Sequence, residues 1–339
     1  MTRPALHLSF LRLSLLAATT LMASVGATSA QKAPVWKHGT VAAKADSGII
    51  FYPAEAGFDD KYGVKIEMVQ MSGDALLLRA LIAGEIDSFE AIPAGAMAAN
   101  SRGGDTRIIG CHWLKIPHVL FVAKDSAFKS VADLKGARVG VSAPGALPDM
   151  TARAMIARAG LDPKAITLVN AGSDADRFKA LVAKIIDVAP SSNEFILEGD
   201  KYGIRPLVAM RDAAPDLIRS CIVTTQRALN SKRDTAVKFL AVEMDGFKAA
   251  IDPANAAKVD ALSSRLAKIP EGDERLAFVR KDTIESDSID ASFPFPMDKL
   301  KFLMDLTIEV GQMEKPIDLA TMVVPAVRDD ALKLAASKK

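Results

Sequence analysis

The 339-residue sequence contains few of the residues on which metal and thiol chemistry depend. It has two cysteines and four histidines, and it shows neither a Cys-x-x-Cys nor a His-Glu-x-x-His pattern. The spacing of His38, His112 and His118 is not that of a metal site, and no Walker-type phosphate loop is present. We therefore expect no metal and no cofactor.

A nucleophile of the hydrolase type is also missing. The nearest approach is Gly140–Pro144, which reads Gly-Val-Ser-Ala-Pro. A nucleophile elbow needs a small residue, usually glycine, where Pro144 stands, because its turn is strained. We therefore predict no catalytic role for Ser142 and no catalytic residue elsewhere.

No strong charge of either sign is present. The chain carries 43 Lys and Arg against 41 Asp and Glu, a net charge of +2. Both Arg3 and Arg12 fall in a predicted N-terminal targeting segment, so the remainder has a formal charge of zero. Without a basic field, nucleic acid is not an expected partner.

The first 30 residues have the pattern of a secretory signal peptide. Arg3 and Arg12 supply positive charge, Leu11–Val25 is apolar, and Ala27–Ala30 are small residues that suit cleavage. We predict that residues 1–30 are a signal peptide cut after Ala30, with the position after Ala27 as the second choice. No cysteine lies near that cut, so the exported chain is not expected to carry a lipid anchor.

After this segment, strand and helix patterns alternate. Thr40–Ala45 and Val64–Met71 read as strands, and Ala75–Ala83 reads as an amphipathic helix. This alternation predicts an α/β fold with a parallel sheet covered on both faces. Ligands of such sheets bind outside the carboxyl ends of the strands, which directs attention to the loops at 46–47, 72–74 and 90–93.

An internal echo predicts two lobes. Arg79–Asp87 is matched, 100 residues later, by Lys179–Asp187. Each segment reads as a helix, a tight turn and a short strand that opens with Ile-Asp. The loop Pro190–Glu194 is then the counterpart of the loop Glu90–Pro93.

The segment Ser130–Thr151 reads as the start of the second lobe. Ser130 and Asp133 form a capping-box pattern that ends at Gly136, and Arg138–Val141 is a short strand. A turn containing Gly145 leads to a new helix. The N-terminus of a helix after such a turn suits an anionic or acceptor-rich group.

Two of these motifs resemble one family. Ala132–Val141 resembles the "ADLKG-R-VGV" motif, and Ala80–Asp87 the "AL-x-x-GEID" motif, of periplasmic solute-binding proteins of the nitrate/sulfonate/taurine and thiamine-precursor class. The resemblance implies a two-lobed periplasmic binding protein type II fold, each lobe a mostly parallel sheet flanked by helices. Lobe 1 would comprise residues 31–118 and 224–339, and lobe 2 residues 119–223. Gly145-Ala146 stands where the family has Gly-Ser.

The same resemblance implies a function. The protein would be a monomeric periplasmic receptor that captures a small organic solute by hinge closure and delivers it to an inner-membrane ABC permease. The alternative is an enzyme of the thiamine-pyrimidine-precursor type on the same fold. Those enzymes are intracellular and carry a cysteine cluster that this sequence lacks, so we predict a receptor and not an enzyme.

The loops at the predicted cleft supply the candidate ligand-binding residues. They are Asp46, Ser47, Ser72, Gly73, Glu90, Ile92, Trp113, Ser142, Gly145, Ala146, Ser191, Asn193 and Glu194. Trp113 either stacks on a planar ligand or packs at the hinge. Asp46, Glu90 and Glu194 favour an amine or N–H group on the ligand, whereas Lys44 and Lys115 favour an anion, and the ligand charge stays open.

Cys111 and Cys221 are predicted to be free, buried thiols. An exported protein can pair its cysteines. The expected crossing points of the chain, however, put both residues near the hinge, where a bridge would resist closure.

Overall fold

The structure, a computed structural model, describes residues 32–338, and the predicted signal peptide lies outside this range. The strands are β1 (Val35–Val41), β2 (Lys65–Met71), β3 (Ser88–Ala91), β4 (Thr106–Trp113), β5 (Val119–Ala123), β6 (Arg138–Val141), β7 (Thr167–Asn170), β8 (Ala189–Ser191), β9 (Ile204–Ala209) and β10 (Ser220–Thr225). The helices are α1 (Ser47–Glu55), α2 (Phe58–Tyr62), α3 (Asp74–Ala83), α4 (Ala94–Ser101), α5 (Leu147–Arg158), α6 (Asp174–Val182), α7 (Met210–Ala213), α8 (Gln226–Ala250), α9 (Ala256–Ala267), α10 (Glu274–Glu285), α11 (Met297–Glu309), α12 (Leu319–Met322) and α13 (Pro325–Ser337). Within this range no helix is long and apolar enough to cross a bilayer.

The strands form two groups. The first sheet has the order β2-β1-β3-β10-β4, in which β1 runs parallel to β2 and β3. The second group consists of β8-β5-β9 and the parallel pair β6-β7, which a bridge between Val139 and Val188 connects. The α/β class with sheets flanked by helices is confirmed.

The chain passes to the second group between β4 and β5 and returns between β9 and β10. Both β5 and β10, the strands that follow these passages, run antiparallel to their neighbours. Element order does not reveal the direction of a strand that arrives from another sheet, which is why the sequence did not predict these pairings. The lobe boundaries given above stay a prediction; strand β10 at 220–225 lies in the first sheet and spans the boundary at 223.

The predicted strand over Thr40–Ala45 is wrong, because β1 starts at Val35 and ends at Val41. The residues after Val41 turn toward α1. The backbone N–H of Ser47 donates to the carbonyl of Lys44 at 2.9 Å, and its Oγ accepts from the N–H of Lys44 at 2.8 Å. These local bonds compete with strand pairing.

The internal echo is a structural repeat. Asp87 accepts the backbone N–H of Lys37 at 2.9 Å, and Asp187 accepts that of Arg138 at 2.8 Å. Each carboxylate therefore fastens its own short strand to a neighbouring strand, Asp87 within the first sheet and Asp187 to β6 of the parallel pair. The two strand-opening aspartates have equivalent roles in the two groups.

The prediction of two free thiols is wrong, because Cys111 and Cys221 form a disulfide. They are directly opposite each other on the adjacent strands β4 and β10, and both are fully buried. The bridge therefore lies inside the first sheet. It does not span the passages between the groups, so the objection that it would resist closure does not apply.

Candidate functional site

A cleft of about 770 Å³, counting the part open to solvent, lies between loops of the first sheet and loops of the second group. The loops after β1 and β2 face those after β6 and β7. Six predicted residues line it, namely Ser72, Gly73, Glu90, Ile92, Trp113 and Ser142. All six lie at or just beyond the carboxyl ends of β2, β3, β4 and β6, as expected for ligand sites of α/β sheets.

The seven other candidates do not line the cleft. These residues are Asp46, Ser47, Gly145, Ala146, Ser191, Asn193 and Glu194. Two of them donate to carboxylates of the protein: Asp149 accepts the N–H of Gly145 at 2.8 Å. The side chain of Asn193 likewise donates to Asp282 at 2.7 Å. The predicted anion site at the Gly145 turn is thus occupied by a carboxylate from its own helix.

Arg219 and Trp113 form one wall. The guanidinium carbon of Arg219 lies 3.5 Å from the centre of a ring of Trp113, a cation–π contact that covers this face of the indole. Nη2 of Arg219 donates to Asp46 at 2.6 Å. Asp46 therefore lies outside the cleft lining and orients Arg219 through this hydrogen bond.

Several buried polar atoms of the cleft remain without partners. Arg219 Nη1, Trp113 Nε1 and Ser220 Oγ have no hydrogen-bond partner in the part of the chain that the structure describes. Arg219, Trp113 and Ser220 are 6 %, 1 % and 5 % exposed. Buried donors in folded proteins are normally paired, so three of them at one wall mark a place for acceptor atoms.

Asp174, at the start of α6, binds three basic side chains. Its carboxylate contacts Arg177 at 2.6 Å, His118 at 3.2 Å and Lys44 at 3.4 Å. Burial alone would raise the pKa of Asp174, but Lys44, Arg177 and His118 together hold it well below its usual value. Asp174 is therefore ionised, and it neutralises much of the positive charge at this side of the cleft.

His118 is neutral at pH 7. Burial, reinforced by Lys44, lowers its pKa to about 4. Its Nε2 faces Asp174, which assigns the proton to Nε2 and leaves Nδ1 as an acceptor. Among residues 32–338, Nδ1 has no hydrogen-bond partner. His118 lines the cleft, so its unpartnered acceptor lies in the same wall region as the unpartnered donors.

Two more carboxyl groups line the cleft. Glu90 accepts from Thr40 at 2.8 Å and lies 3.0 Å from Nε2 of His112. Burial opposes its ionisation, but His112 and His38 keep its pKa below the usual value. Asp74 accepts the N–H of Leu147 at 3.3 Å, and burial raises its pKa. Glu90 therefore carries a charge more readily than Asp74.

Sequence reasoning missed several cleft residues. The candidates from the sequence do not include Asp74, Asp174, Arg177, His118, Arg219 or Ser220, all of which line the cleft. The echo contained a signal for one of them, since Asp74 and Asp174 are 100 residues apart, the offset of the two repeats. No motif surrounds Arg219, whose position depends on where the chain returns to the first sheet. No cluster of metal-ligand geometry occurs in the described range.

Comparison with known proteins agrees with this geometry. The family model described as NMT1/THI5 like matches residues 44–256, more than half of the chain. The periplasmic nitrate-binding protein NrtA from Synechocystis PCC 6803 is similar in structure, with a TM-score of 0.74, 14% identity and coverage of 91% of both chains. The periplasmic aliphatic sulphonate binding protein SsuA from Escherichia coli has a TM-score of 0.66 at 18% identity, over 86% of this chain and 92% of its own.

An enzyme is also among the proteins of similar fold. The desulfurization enzyme DSZB has a TM-score of 0.59 at 16% identity and covers 89% of this chain and 99% of its own. No curated protein matches this sequence. At these identities, the structural neighbours establish the periplasmic binding protein fold alone.

Proposed function

Because the chain belongs to the NMT1/THI5-like family, we propose that it is the solute-binding receptor of an ABC importer. In this proposal it captures a small organic molecule between two lobes and delivers it to an inner-membrane permease. The structural neighbours named as periplasmic binding proteins support this function. Periplasmic location after signal-peptide removal, a monomeric state and the lobe boundaries at 118/119 and 223/224 are parts of the same proposal.

The observation that carries the proposal is the set of unpartnered atoms at the cleft. Trp113 Nε1, Arg219 Nη1 and Ser220 Oγ offer donors, and His118 Nδ1 offers an acceptor. A solute that reaches these atoms would recover hydrogen bonds that the protein does not make by itself. We propose that an oxygen acceptor of the solute contacts the Trp113–Arg219 wall.

Hinge closure is proposed as the mechanism. Two passages, over 114–118 and 210–219, connect the first sheet with the second group. Two short connections permit rotation of one lobe against the other, and a solute that contacts both lobes favours the closed state.

Mass spectrometry of the molecule released by denaturing the purified protein tests the function. Calorimetry with that molecule then compares Trp113→Phe, which removes the N–H at the cleft, with Trp36→Phe. Trp36 is buried outside the cleft, where its Nε1 donates to Ser88 at 2.7 Å. We expect Trp113→Phe to weaken binding about tenfold and Trp36→Phe to lower stability only. Equal affinity of all three proteins would contradict the proposed contact.

The rival is an enzyme on the same fold, which the similarity to DSZB favours. The disulfide joins both cysteines, so within residues 32–338 there is no free thiol for catalysis by a cysteine. Prolonged incubation with the identified solute separates the two functions. A receptor returns the solute unchanged, whereas a new product would establish catalysis.

A further inference from the structure

Contacts between loops of the two strand groups close one rim of the cleft. Asp174 contacts Lys44 at 3.4 Å, and Leu147 donates its N–H to Asp74 at 3.3 Å. The third contact is a hydrogen bond from the N–H of Ala45, after β1, to Oε2 of Glu194, after β8, at 3.2 Å. Because Ala45 and Glu194 belong to different groups, this bond exists only when the groups are together.

Glu194 is enclosed by this contact. It is 6 % exposed, and its Oε2 lies 3.5 Å from Ser192 Oγ. Lys44 and Asp46 face it from the segment after β1, and Asp174 faces it from α6. From α10, Arg275 and Asp282 approach its 3₁₀ turn, the former paired with Glu198 and the latter with Asn193.

Most of the charged neighbours are already paired. Asp174 binds Lys44 and Arg177, and Asp46 binds Arg219. No cation makes an ion pair with Glu194 within residues 32–338. Glu194 receives one backbone hydrogen bond and one long hydrogen bond, at 3.5 Å, from Ser192 Oγ. These two bonds compensate a buried carboxylate poorly, whereas the neutral acid can still accept them.

We propose that Glu194 is a protonation-dependent latch between the lobes, so that the cleft closes more readily when this carboxyl carries a proton. This inference rests on the proposed function, because it concerns regulation of the same cleft. It adds a residue that acts on affinity from outside the cleft, by stabilising the closed state.

The direction of the pH effect follows from the burial. Burial raises the pKa of Glu194 to about 7, with Asp46 and Asp174 adding to the rise and Lys44 opposing it. When the lobes separate, the side chain returns to water and to an ordinary pKa of 4.5. At a pH between these two pKa values, closure of the lobes therefore binds a proton. The stabilisation of the closed state is complete below the lower pKa and is lost as pH rises through the upper one.

The test uses the unliganded protein, so that it does not depend on identifying the solute. Spin labels on Glu67→Cys and Lys135→Cys, exposed positions of β2 and of the turn before β6, report the distance between lobes by electron double resonance. We expect the closed-to-open ratio to rise about tenfold from pH 8 to pH 6. In Glu194→Gln, and also in Glu194→Ala, it should stay constant within about twofold.

Glu85→Gln is the matched control, because Glu85 is exposed and lies in the turn after α3. It should keep the pH response of the unmodified protein. All variants are measured in the spin-labelled protein. An equal response in Glu194→Gln, or no response in the labelled protein that keeps Glu194, would overturn the latch. If no solute is found, the receptor function fails while the distances still decide on the latch. If a solute binds but the response does not require Glu194, the latch alone fails.

Discussion

Glu243 provides a sharp test of how the first sheet is packed. It lies on α8 between Phe239 and Phe247, one turn from each, on the face that packs against the sheet. The rings of Phe239 and Phe247 contact His38 and His112 at centroid distances of 5.0 and 4.5 Å. Glu243 therefore faces the buried side of the sheet.

The carboxyl of Glu243 is buried without compensation. It is 2 % exposed, and its Oε1 has no hydrogen-bond partner within residues 32–338. Burial, together with the nearby charge of Glu90, raises its pKa well above 4.5. The folded protein holds a proton that the unfolded chain releases above pH 4.5, so the stability contributed by this group is full below that pH. It falls as pH rises toward the folded pKa.

The perturbation is Glu243→Gln, which keeps the shape and removes the titration. While the folded state keeps its proton and the unfolded state has lost it, stability falls by about 1.4 kcal/mol per pH unit. The unfolding free energy of the variant minus that of the unmodified protein should therefore increase from pH 5.5 to pH 6.5, by at most about 1.4 kcal/mol. This difference cancels the groups that both proteins share.

Urea denaturation followed by circular dichroism at the two pH values measures the difference. Glu309→Gln, an exposed position on α11, is the control and should show none. A constant difference between Glu243→Gln and the unmodified protein would show that the Glu243 carboxyl is ionised or solvated in the folded state. The buried position argued above would then be wrong.

Two further predictions concern the first sheet and its helices. Thiol titration of the denatured, unreduced protein should find no free thiol, and changing Cys111 and Cys221 to Ser should lower stability by about 2–5 kcal/mol; two free thiols would refute the disulfide. Gly48→Ala should lower stability by at least about 1–3 kcal/mol, because its Cβ would lie 2.0 Å from the carbonyl oxygen of Val259. A melting temperature equal to that of the unmodified protein would contradict the close packing of α1 on α9.

Sequence reasoning was accurate where the information is local. The strand Arg138–Val141 begins and ends as predicted, and Asp133 accepts the N–H of Ser130 as its capping-box pattern requires. The sequence says less about burial: Val182 and Ile185 continue the apolar stripe of Phe178 and Leu181, yet they are 38% and 57% exposed. Periodicity identifies the face of a helix but not how far the neighbouring elements cover it.

The candidate site divides in the same way. Residues that follow strands, such as Ser72 and Ser142, could be placed at the cleft from the rule for parallel sheets. Gly145 could not be excluded from sequence, because the carboxylate that occupies its N–H belongs to a helix whose orientation is set by tertiary packing. Arg219 could not be selected from the sequence, because its contact with Trp113 joins residues more than 100 positions apart.

The disulfide also determines how the molecule responds to cutting and to force. Cys111 and Cys221 are 110 positions apart, and the second strand group lies entirely between them. A protease that cleaves one exposed loop of this group would leave a single covalent molecule, and the fragments would separate only after reduction. A force applied to the second group would likewise be borne by the disulfide, which would have to break before β4 could separate from β10. The inserted strand group is thus held covalently at both of its ends.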